Sequence, residues 1–337
     1  MIIFAIETSC DETAVAVVRD GREVLSSELF SQADMHALYG GVVPEIASRN
    51  HAAHIGRLSA LALKNAGITK LEIDAVAVTC APGLIGALLV GVNYAKGMAM
   101  ALNIPLIPVH HLRGHIAANY IAYPDLEPPF LSLVISGGNS LIADVRGYTD
   151  ISIVGRSRDD AAGECFDKTA RVLGLGYPGG PYLEKLASGG DDALFSLPHP
   201  VIEGFPYDMS FSGLKTAAQN IVHNTKQKGE QLDAASLAAS FARTVSGILV
   251  PRVMAAASEF GRNKISVTGG VAANSRIRRD FIAAAEKDGH TLLIPPINLC
   301  GDNAAMIGSQ AYYEYLSGVS AGLDLDARAT MEVSEKF

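Results

Sequence analysis

The chain has 337 residues, of which 49% are hydrophobic and 18% charged, so it can form one large or two medium domains with a substantial core. A protein that binds a polyanion across a broad surface is usually basic, whereas this chain has a formal net charge of -8. Any role on nucleic acid therefore requires a local basic patch or a partner subunit.

The four cysteines are widely spaced and form no C-x-x-C pair, which indicates a reducing compartment rather than a disulfide framework. The N-terminal residues include Glu7, Asp11 and Glu12, where a signal peptide would be basic and then apolar. The most apolar region, residues 84–109, is interrupted by Lys96 and several glycines, so we expect it to be a poor membrane span. These features predict a cytoplasmic protein with no membrane partner.

The first part of the chain is predicted to open with three strands. Apolar runs at residues 2–6, 14–18 and 24–30 are separated by a polar turn at residues 7–13 and by a turn at residues 20–21. That second turn is Asp-Gly, a pair typical of hairpins. Helical patterns follow at residues 45–66 and 84–101, and a Pro-rich stretch at residues 124–129 ends this part.

The second part repeats this pattern. Strands are predicted at residues 130–135, 141–145 and 151–154, with a small polar turn at residues 136–140, and helices at residues 234–260 and 304–316. The two openings lie roughly 130 residues apart, which favours an internal duplication over chance. We therefore predict an α/β protein with a first lobe at 1–129, completed by C-terminal helices near 302–320, a second lobe at 130–301 and a C-terminal tail at 321–337.

Glycine-rich turns follow several predicted strands. Residues 264–274 form a short strand, then Gly269-Gly270, then the start of a helix, whose backbone N–H groups can hold an anion. The spacing of neither a Walker loop nor a Rossmann fingerprint is present. Each turn alone is weak support, but together they predict a nucleotide cleft between the lobes.

The strongest local signal is a histidine cluster formed by His110, His111 and His115. His111 and His115 are spaced i, i+4, so on a helix they share one face and suit two imidazoles on one metal ion. A pair of core histidines is the alternative. A zinc peptidase is excluded because the glutamate of H-E-x-x-H is missing. Asp302, at a predicted helix start, is the candidate third ligand, and a helix N-cap is its alternative role.

Carboxylates in the first polar turn are also candidates for chemistry. Asp11 and Glu12 can face a phosphate through a metal or act in proton transfer, and the alternative is that they are solvated turn residues. Asp167 lies in an acidic stretch that is otherwise typical of a solvated helix face. A second, weaker pair, His51 and His54, is predicted to lie at the surface.

These segments together resemble the TsaD family, also called YgjD or Gcp. The matching motifs span nearly the whole chain and are highly specific in this order: IETSCDET at 6–13, YGGVVPE at 39–45, APGL at 81–84, PVHH at 108–111 with GH at 114–115, SGG at 136–138, DDAAGE at 159–164 with FDKT at 166–169, YPGGP at 177–181, SFSGLKT at 210–216, GGVAAN at 269–274 and DN at 302–303.

The resemblance implies the actin/sugar-kinase/Hsp70-like ATPase fold. It also implies transfer of a threonylcarbamoyl group from threonylcarbamoyl-AMP to N6 of the adenosine 3′ of the anticodon, in tRNAs reading codons that begin with A, with release of AMP. Family members use a divalent metal, iron or zinc. In bacteria they work with a TsaB-like paralogue and a TsaE-like ATPase.

The resemblance places the metal ligands at His111, His115 and Asp302, with Fe²⁺ expected and Zn²⁺ as the alternative. It places the substrate contacts at Val134, Ile135, Ser136, Gly137, Gly138, Asp167, Gly180 and Asn274. Asp11 is the candidate for ordering the reactive group or accepting a proton.

One position departs from many bacterial members, which carry Ser-Gly-Gly-His-Thr where this chain has Asn139 and Ser140 after the glycines. This puts in doubt any metal or phosphate role for a histidine there. The alternatives are a small-molecule kinase or carbamoyltransferase of the same fold and a non-catalytic member of the fold. The His pair with Asp302 disfavours both.

Overall fold

The computed structural model describes residues 1 to 337 and contains two compact units. The first comprises Met1–Pro128, Val145–Ser152 and Pro295–Phe337, and the second comprises Pro129–Asp144 and Ile153–Ile294. The C-terminal segment therefore belongs to the unit in which the chain begins.

Ten strands and ten α-helices occur in chain order. They are β1 (Ile2–Glu7), β2 (Glu12–Arg19), β3 (Glu23–Ser31), α1 (Ala33–Ala37), α2 (Pro44–Ala66), β4 (Ala75–Ala81), α3 (Ile85–Leu102), β5 (Leu106–His110), α4 (His111–Ala122), β6 (Phe130–Ile135), β7 (Ser140–Val145), β8 (Ile151–Arg156), α5 (Ala162–Val172), α6 (Gly179–Ala187), α7 (Ser212–Gln227), α8 (Ala234–Glu259), β9 (Lys264–Thr268), α9 (Ser275–Asp288), β10 (Thr291–Leu293) and α10 (Ala304–Leu316). The three strands predicted at the start of each part and the four predicted long helices are confirmed, with ends that differ by at most two residues, and the short strand predicted after residue 263 is β9.

The first unit is built on a five-stranded sheet in the order β3-β2-β1-β4-β5. The first three strands are antiparallel, and β4 and β5 continue the sheet in parallel with β1. Successive residues of β1 point to opposite faces. Phe4 and Ile6 pack in the core with α2 and α3, whereas Ile3 and Ala5 pack in the core with α10. Helices thus cover both faces, which explains why β1 and β4 are almost entirely apolar.

The second unit has a sheet in the order β10-β9-β6-β7-β8. Its first strand, β6, pairs in parallel with β9, which pairs in parallel with β10, as β1 does with β4 and β4 with β5. Numbered within its own unit, each sheet has the same strand order. The predicted α/β class and duplication are therefore confirmed.

The hairpin between β2 and β3 explains one sequence feature directly. Asp20 and Gly21 both have positive φ angles, of 50° and 70°. A Cβ on Gly21 would lie 2.8 Å from a ring carbon of Tyr312, so this turn also requires the absence of a side chain.

Two helices, α3 and α8, are long and apolar enough to cross a membrane by length and composition alone. Helix α3 lies within residues 84–109, the region that we expect to be a poor membrane span. Within the protein, α3 packs against β4 and α2. Core helices of soluble proteins can have the same length and hydropathy, so these two properties are only weak evidence for a membrane span.

The C-terminal tail is anchored on α4 by the buried side chain of Arg113. Its guanidinium forms an ion pair of 2.7 Å with Glu314 and donates hydrogen bonds to the carbonyl oxygens of Val333 and Glu335. Both charged side chains are at most 2% exposed. Val333 is itself buried, so the tail contributes to the core of the first unit.

Breaking this buried ion pair should destabilise the protein strongly. We predict that Glu314→Ala lowers the free energy of unfolding by about 3–5 kcal/mol, because the guanidinium of Arg113 stays buried without its carboxylate. Chemical denaturation followed by circular dichroism measures this change. The matched control is Glu45→Ala, which breaks an exposed ion pair with Arg49 and should cost no more than about 1 kcal/mol. Equal losses in the two variants would contradict the prediction.

Candidate metal centre

Helix α4 begins immediately after β5 and carries both predicted histidine ligands. His110 ends the strand and caps the helix, where its side chain accepts a hydrogen bond from the backbone N–H of Leu112. His111 and His115 then lie one turn apart, with ring centroids 4.7 Å apart and planes at 79°. They are 7% and 0% exposed. The i, i+4 spacing therefore brings two buried imidazoles together.

Asp302 reaches the same place from the loop before α10. Its Oδ1 lies 3.2 Å from Nε2 of His115 and 3.5 Å from Nε2 of His111. The potential ligand atoms of the three residues all lie within 4.8 Å of one another. The N-cap of α10 is Asn303, whose side chain accepts a hydrogen bond from the N–H of Met306. Asp302 is thus free of the capping role that was its alternative.

Close packing of α4 on α10 makes this meeting possible. A Cβ on Gly114 would lie 2.7 Å from Cδ1 of Ile307 and 3.3 Å from Cγ of Met306. The glycine between the two histidines therefore lets the helices approach at the level of the ligands.

The electrostatics of the cluster suit a bound cation. Burial opposes charge on His111, but Asp302 and Glu7 raise the pKa of its imidazole well above the usual value. Burial likewise opposes charge on Asp302, yet the two imidazoles hold the pKa of its carboxyl below the usual value. The cluster thus keeps a positive charge between two carboxylates. Two imidazoles and a carboxylate are also a donor set that divalent metals accept, so these residues fit a metal ion.

Glu7 is a residue of this centre that the sequence analysis did not select. It ends β1, it is fully buried, and its Oε2 lies 2.9 Å from Nδ1 of His111. Burial opposes its ionisation, but His111 holds the pKa of Glu7 below the usual value. The signal that could have identified it is a glutamate at the end of an otherwise apolar, buried strand.

Asp11 and Glu12 follow in the turn between β1 and β2. Asp11 is only 7% exposed, so it is not the solvated turn residue that was its alternative. Burial and the carboxylates of Asp302 and Asp11 raise the pKa of Glu12 to about 9. In the metal-free protein this favours the neutral form of Glu12, whose carboxyl interacts with that of Asp11.

Two other histidines have structural roles. Nε2 of His110 lies 3.1 Å from the carbonyl oxygen of Met331 in the tail, and Nδ1 accepts a hydrogen bond from the N–H of Leu112, so both ring nitrogens have backbone partners. The prediction that His51 lies at the surface is wrong, because it is fully buried. Its ring lies 2.7 Å from the hydroxyl of Thr13 and 2.9 Å from the carbonyl oxygen of Cys10. These two hydrogen bonds of His51 stabilise the turn that contains Asp11.

In the second unit, the predicted substrate contacts begin at the end of β6. Val134 and Ile135 are buried, and the turn that follows contains Ser136, Gly137 and Gly138. The two glycines are exposed, and a Cβ on either would meet nothing within 4 Å. Their lack of side chains therefore leaves the backbone open to a ligand.

Of the remaining predicted contacts in the same unit, Gly180 and Asn274 lie at helix starts and Asp167 lies within α5. Asp167 accepts a hydrogen bond of 2.7 Å from the backbone N–H of Gly179, beside Gly180 in the first turn of α6. Asn274 caps α9 by accepting a hydrogen bond from the N–H of Ile277. Two of these side chains thus have structural partners that the sequence analysis did not anticipate.

Comparison with known proteins identifies the family. The family model described as "TsaD: tRNA N6-adenosine threonylcarbamoyltransferase" matches residues 23–309. The chain belongs to the TsaD family. A tRNA N6-adenosine threonylcarbamoyltransferase of Clostridium botulinum (strain Kyoto / Type A2) is 48% identical over 334 residues, which cover 99% of this chain and 98% of the relative. One of Clostridium perfringens (strain 13 / Type A) is 48% identical over 335 residues, 99% of each chain. The resemblance inferred from the motifs is confirmed.

Solved structures support the fold. HypF of T. kodakarensis has a TM-score of 0.65 at 17% identity, with 94% of this chain and 48% of HypF covered. The (R)-2-hydroxyglutaryl-CoA dehydratase component A of Acidaminococcus fermentans has a TM-score of 0.55 at 18% identity, covering 94% and 99% of the two chains. A ROK hexokinase of Thermus thermophilus has a TM-score of 0.50 at 14% identity, covering 95% and 100%. The predicted actin/sugar-kinase-like fold of this TsaD family member is thereby confirmed.

Replacing both histidines should abolish metal retention. We predict that a His111→Ala, His115→Ala double variant, loaded with Fe²⁺ or Zn²⁺ and desalted, retains at least about tenfold less metal than the wild type. Mass spectrometry of the metal content provides the measurement. His54→Ala is the control, because that ring stacks on Phe30 in the same unit and should leave metal content unchanged. Wild-type metal content in the double variant would show that the ligand assignment is wrong.

A second prediction concerns pH and the neighbouring His110. Burial lowers the pKa of its imidazole from 6.5 to about 3. Between about pH 3 and pH 6.5, His110 is protonated in the unfolded chain and neutral in the folded protein. The stability that depends on its neutral form is therefore fully present above about pH 6.5 and is lost as the pH falls. In metal-free buffer, His110→Gln should reduce the pH dependence of the unfolding free energy below about pH 6 by up to about 1.4 kcal/mol per pH unit. Urea denaturation at several pH values tests this, and parallel curves for the two proteins would refute it.

Proposed function

We propose that this chain transfers a threonylcarbamoyl group from threonylcarbamoyl-AMP to N6 of the adenosine 3′ of the anticodon, in tRNAs reading codons that begin with A. The observation that carries the proposal is the 48% identity to named tRNA N6-adenosine threonylcarbamoyltransferases along nearly the full chain. The cluster of His111, His115 and Asp302 adds support from geometry.

The reaction is an acyl transfer to a weak nucleophile. The N6 amine of adenosine forms a bond to the carbamoyl carbon, the bond from that carbon to the phosphate oxygen of AMP breaks, and AMP leaves with the electron pair. N6 loses one proton. Because the exocyclic amine of adenosine is weakly nucleophilic, positioning of the two substrates supplies much of the rate.

His111, His115 and Asp302 would hold one divalent ion, which we propose is Fe²⁺, with Zn²⁺ as the alternative. Such an ion, when bound, supplies Lewis-acid polarisation of a phosphate or carbonyl oxygen. Asp11 is proposed to order the reactive group or to accept the proton from N6. Its low exposure and its position in the turn beside the cluster support this role.

The substrate contacts are proposed to include residues 134–138, Asp167, Gly180 and Asn274. Backbone N–H groups in a Gly-rich turn and at helix starts are general anion sites. The open backbone of Gly137 and Gly138 supports this assignment for the AMP part of the donor.

A partner is proposed to help hold the tRNA, because the net charge of -8 disfavours a broad basic surface. By family resemblance the partners are a TsaB-like paralogue and a TsaE-like ATPase, and the compartment is the cytoplasm. A small-molecule kinase gains no specific support, since the fold neighbours at 14–18% identity are similar in fold alone.

The decisive experiment is tRNA modification in vitro. Purified chain with its partner proteins, unmodified tRNA and threonylcarbamoyl-AMP should yield threonylcarbamoyladenosine, detected by mass spectrometry of digested nucleosides. A tRNA with guanosine in place of the target adenosine should give no product. Asp302→Asn should reduce the rate by at least about 100-fold, because it removes a charged group from the metal cluster.

The Clostridium botulinum relative, assayed with the same partners and tRNA, serves as the positive control. If that relative is active and this chain forms no product, the proposed function is wrong.

A further inference from the structure

The carboxylate of Glu7 occupies a position in the first unit that the proposed reaction does not yet use. We propose that Glu7 is a positioning residue, which fixes the orientation and tautomer of His111 and thereby sets the affinity of the centre for its metal. The proposal rests on the metal site of the proposed function and deepens it. It concerns a contact between two residues of this chain, so it can be tested without tRNA.

The two nitrogens of His111 face different partners. Nδ1 lies 2.9 Å from Oε2 of Glu7 and 3.1 Å from Oγ of Ser9. Nε2 faces Asp302 on the opposite side of the ring. When Nδ1–H donates to the Glu7 carboxylate, the lone pair of the neutral ring is on Nε2, the nitrogen beside His115 and Asp302. The hydrogen bond thus selects the tautomer that can bind metal.

Glu7 is itself held in place by the sheet. Oε2 accepts a hydrogen bond of 2.6 Å from the hydroxyl of Thr79, and Oε1 accepts one of 2.5 Å from the backbone N–H of Ser9. Thr79 lies on β4, whose Val78 pairs with Ile6 of β1, the residue before Glu7. These hydrogen bonds restrict the rotation of the Glu7 carboxylate. The His111 ring, which is hydrogen-bonded to that carboxylate, is restricted in turn.

Stability alone does not account for a carboxylate at this position. Glu7 is fully buried, and an ionised carboxylate in such a place is costly unless it is paired and hydrogen-bonded. The only basic group that an ion pair places beside it is the His111 imidazole. A carboxylate behind a metal-binding histidine raises the basicity of the ring and fixes its direction, and loss of such a partner typically weakens metal binding by about 10–100-fold.

The test compares metal affinity in four purified proteins. Wild type, Glu7→Gln, Thr79→Val and Val17→Ala are titrated with Zn²⁺ and with Co²⁺ against a competing chelator, and their thermal unfolding is recorded. Glu7→Gln keeps the shape of the side chain and removes its charge, so its dissociation constants should rise about 10–100-fold. The visible absorption of bound Co²⁺ should also change, since it reports the arrangement of the ligands.

The other two variants separate positioning from stability. Val17→Ala removes buried volume from the core of the same sheet and should lower the melting temperature while leaving the metal affinities unchanged. Thr79→Val removes the hydroxyl that holds Glu7 and keeps the side-chain shape. It should weaken metal binding several-fold, and it provides the test if Glu7→Gln does not fold.

Affinities in folded Glu7→Gln within about twofold of wild type, with an unchanged Co²⁺ spectrum, would overturn the role of Glu7 and leave the proposed function standing. If Glu7→Gln does not fold, wild-type affinities in Thr79→Val would overturn it in the same way. If the wild-type protein bound neither Zn²⁺ nor Co²⁺, both the proposed metal site and the proposed role of Glu7 would be refuted. The tRNA assay would then decide the transferase activity separately. Weaker binding in Val17→Ala equal to that in Glu7→Gln would assign the effect to lost stability.

Discussion

The close approach of α4 and α10 is the constraint on which the metal centre depends. His111 and His115 belong to one helix, and Asp302 precedes another that is far away in sequence, so the ligands can meet only if the two helices pack tightly. Gly114 favours this packing, because a Cβ there would lie 2.7 Å from the terminal methyl group of Ile307, which would have to move. The same pair of helices is joined by the ion pair between Arg113 and Glu314. Core packing and the geometry of the site therefore share one set of contacts.

Burial explains why this arrangement favours a cation. Glu7 and Asp302 both lie against the imidazole of His111, and burial together with the carboxylates of Asp302 and Asp11 raises the pKa of Glu12 to about 9. In the metal-free protein the proton on His111 offsets part of this negative charge. A metal ion bound through Nε2 of the ring would take over that role, and the proton would be released. Binding of a metal ion by His111 would therefore be coupled to the loss of that proton.

The sequence predicts the parts of this centre that are encoded locally. The spacing of His111 and His115 already places both rings on one face of a helix, and alternating or continuous apolar runs predict the strands. Asp302 could be named from the sequence as a candidate third ligand, but its place at a helix start suggested a cap equally well, a role that Asn303 performs. Glu7 gives only a weak signal in the sequence, a glutamate at the end of an apolar strand, because its contact with His111 depends on the lateral order of strands in the sheet. The surface prediction for His51 failed for the same reason, since burial of one face of α2 depends on its packing against β2 and β3.

The corresponding turns of the two units differ in the chemical groups that they present. In each unit, the first two strands of the sheet are joined by a turn of the same length, residues 8–11 in the first unit and residues 136–139 in the second. The first turn carries Asp11 and is followed by Glu12, so it presents carboxyl groups. The second carries Gly137 and Gly138, so it presents open backbone with N–H groups and no acidic side chain. The same backbone element is thus suited to a cation in one unit and to an anion in the other. Its side chains, rather than its topology, decide which charge it favours, and a duplicated scaffold can in this way offer two turns of opposite preference to the proposed reaction.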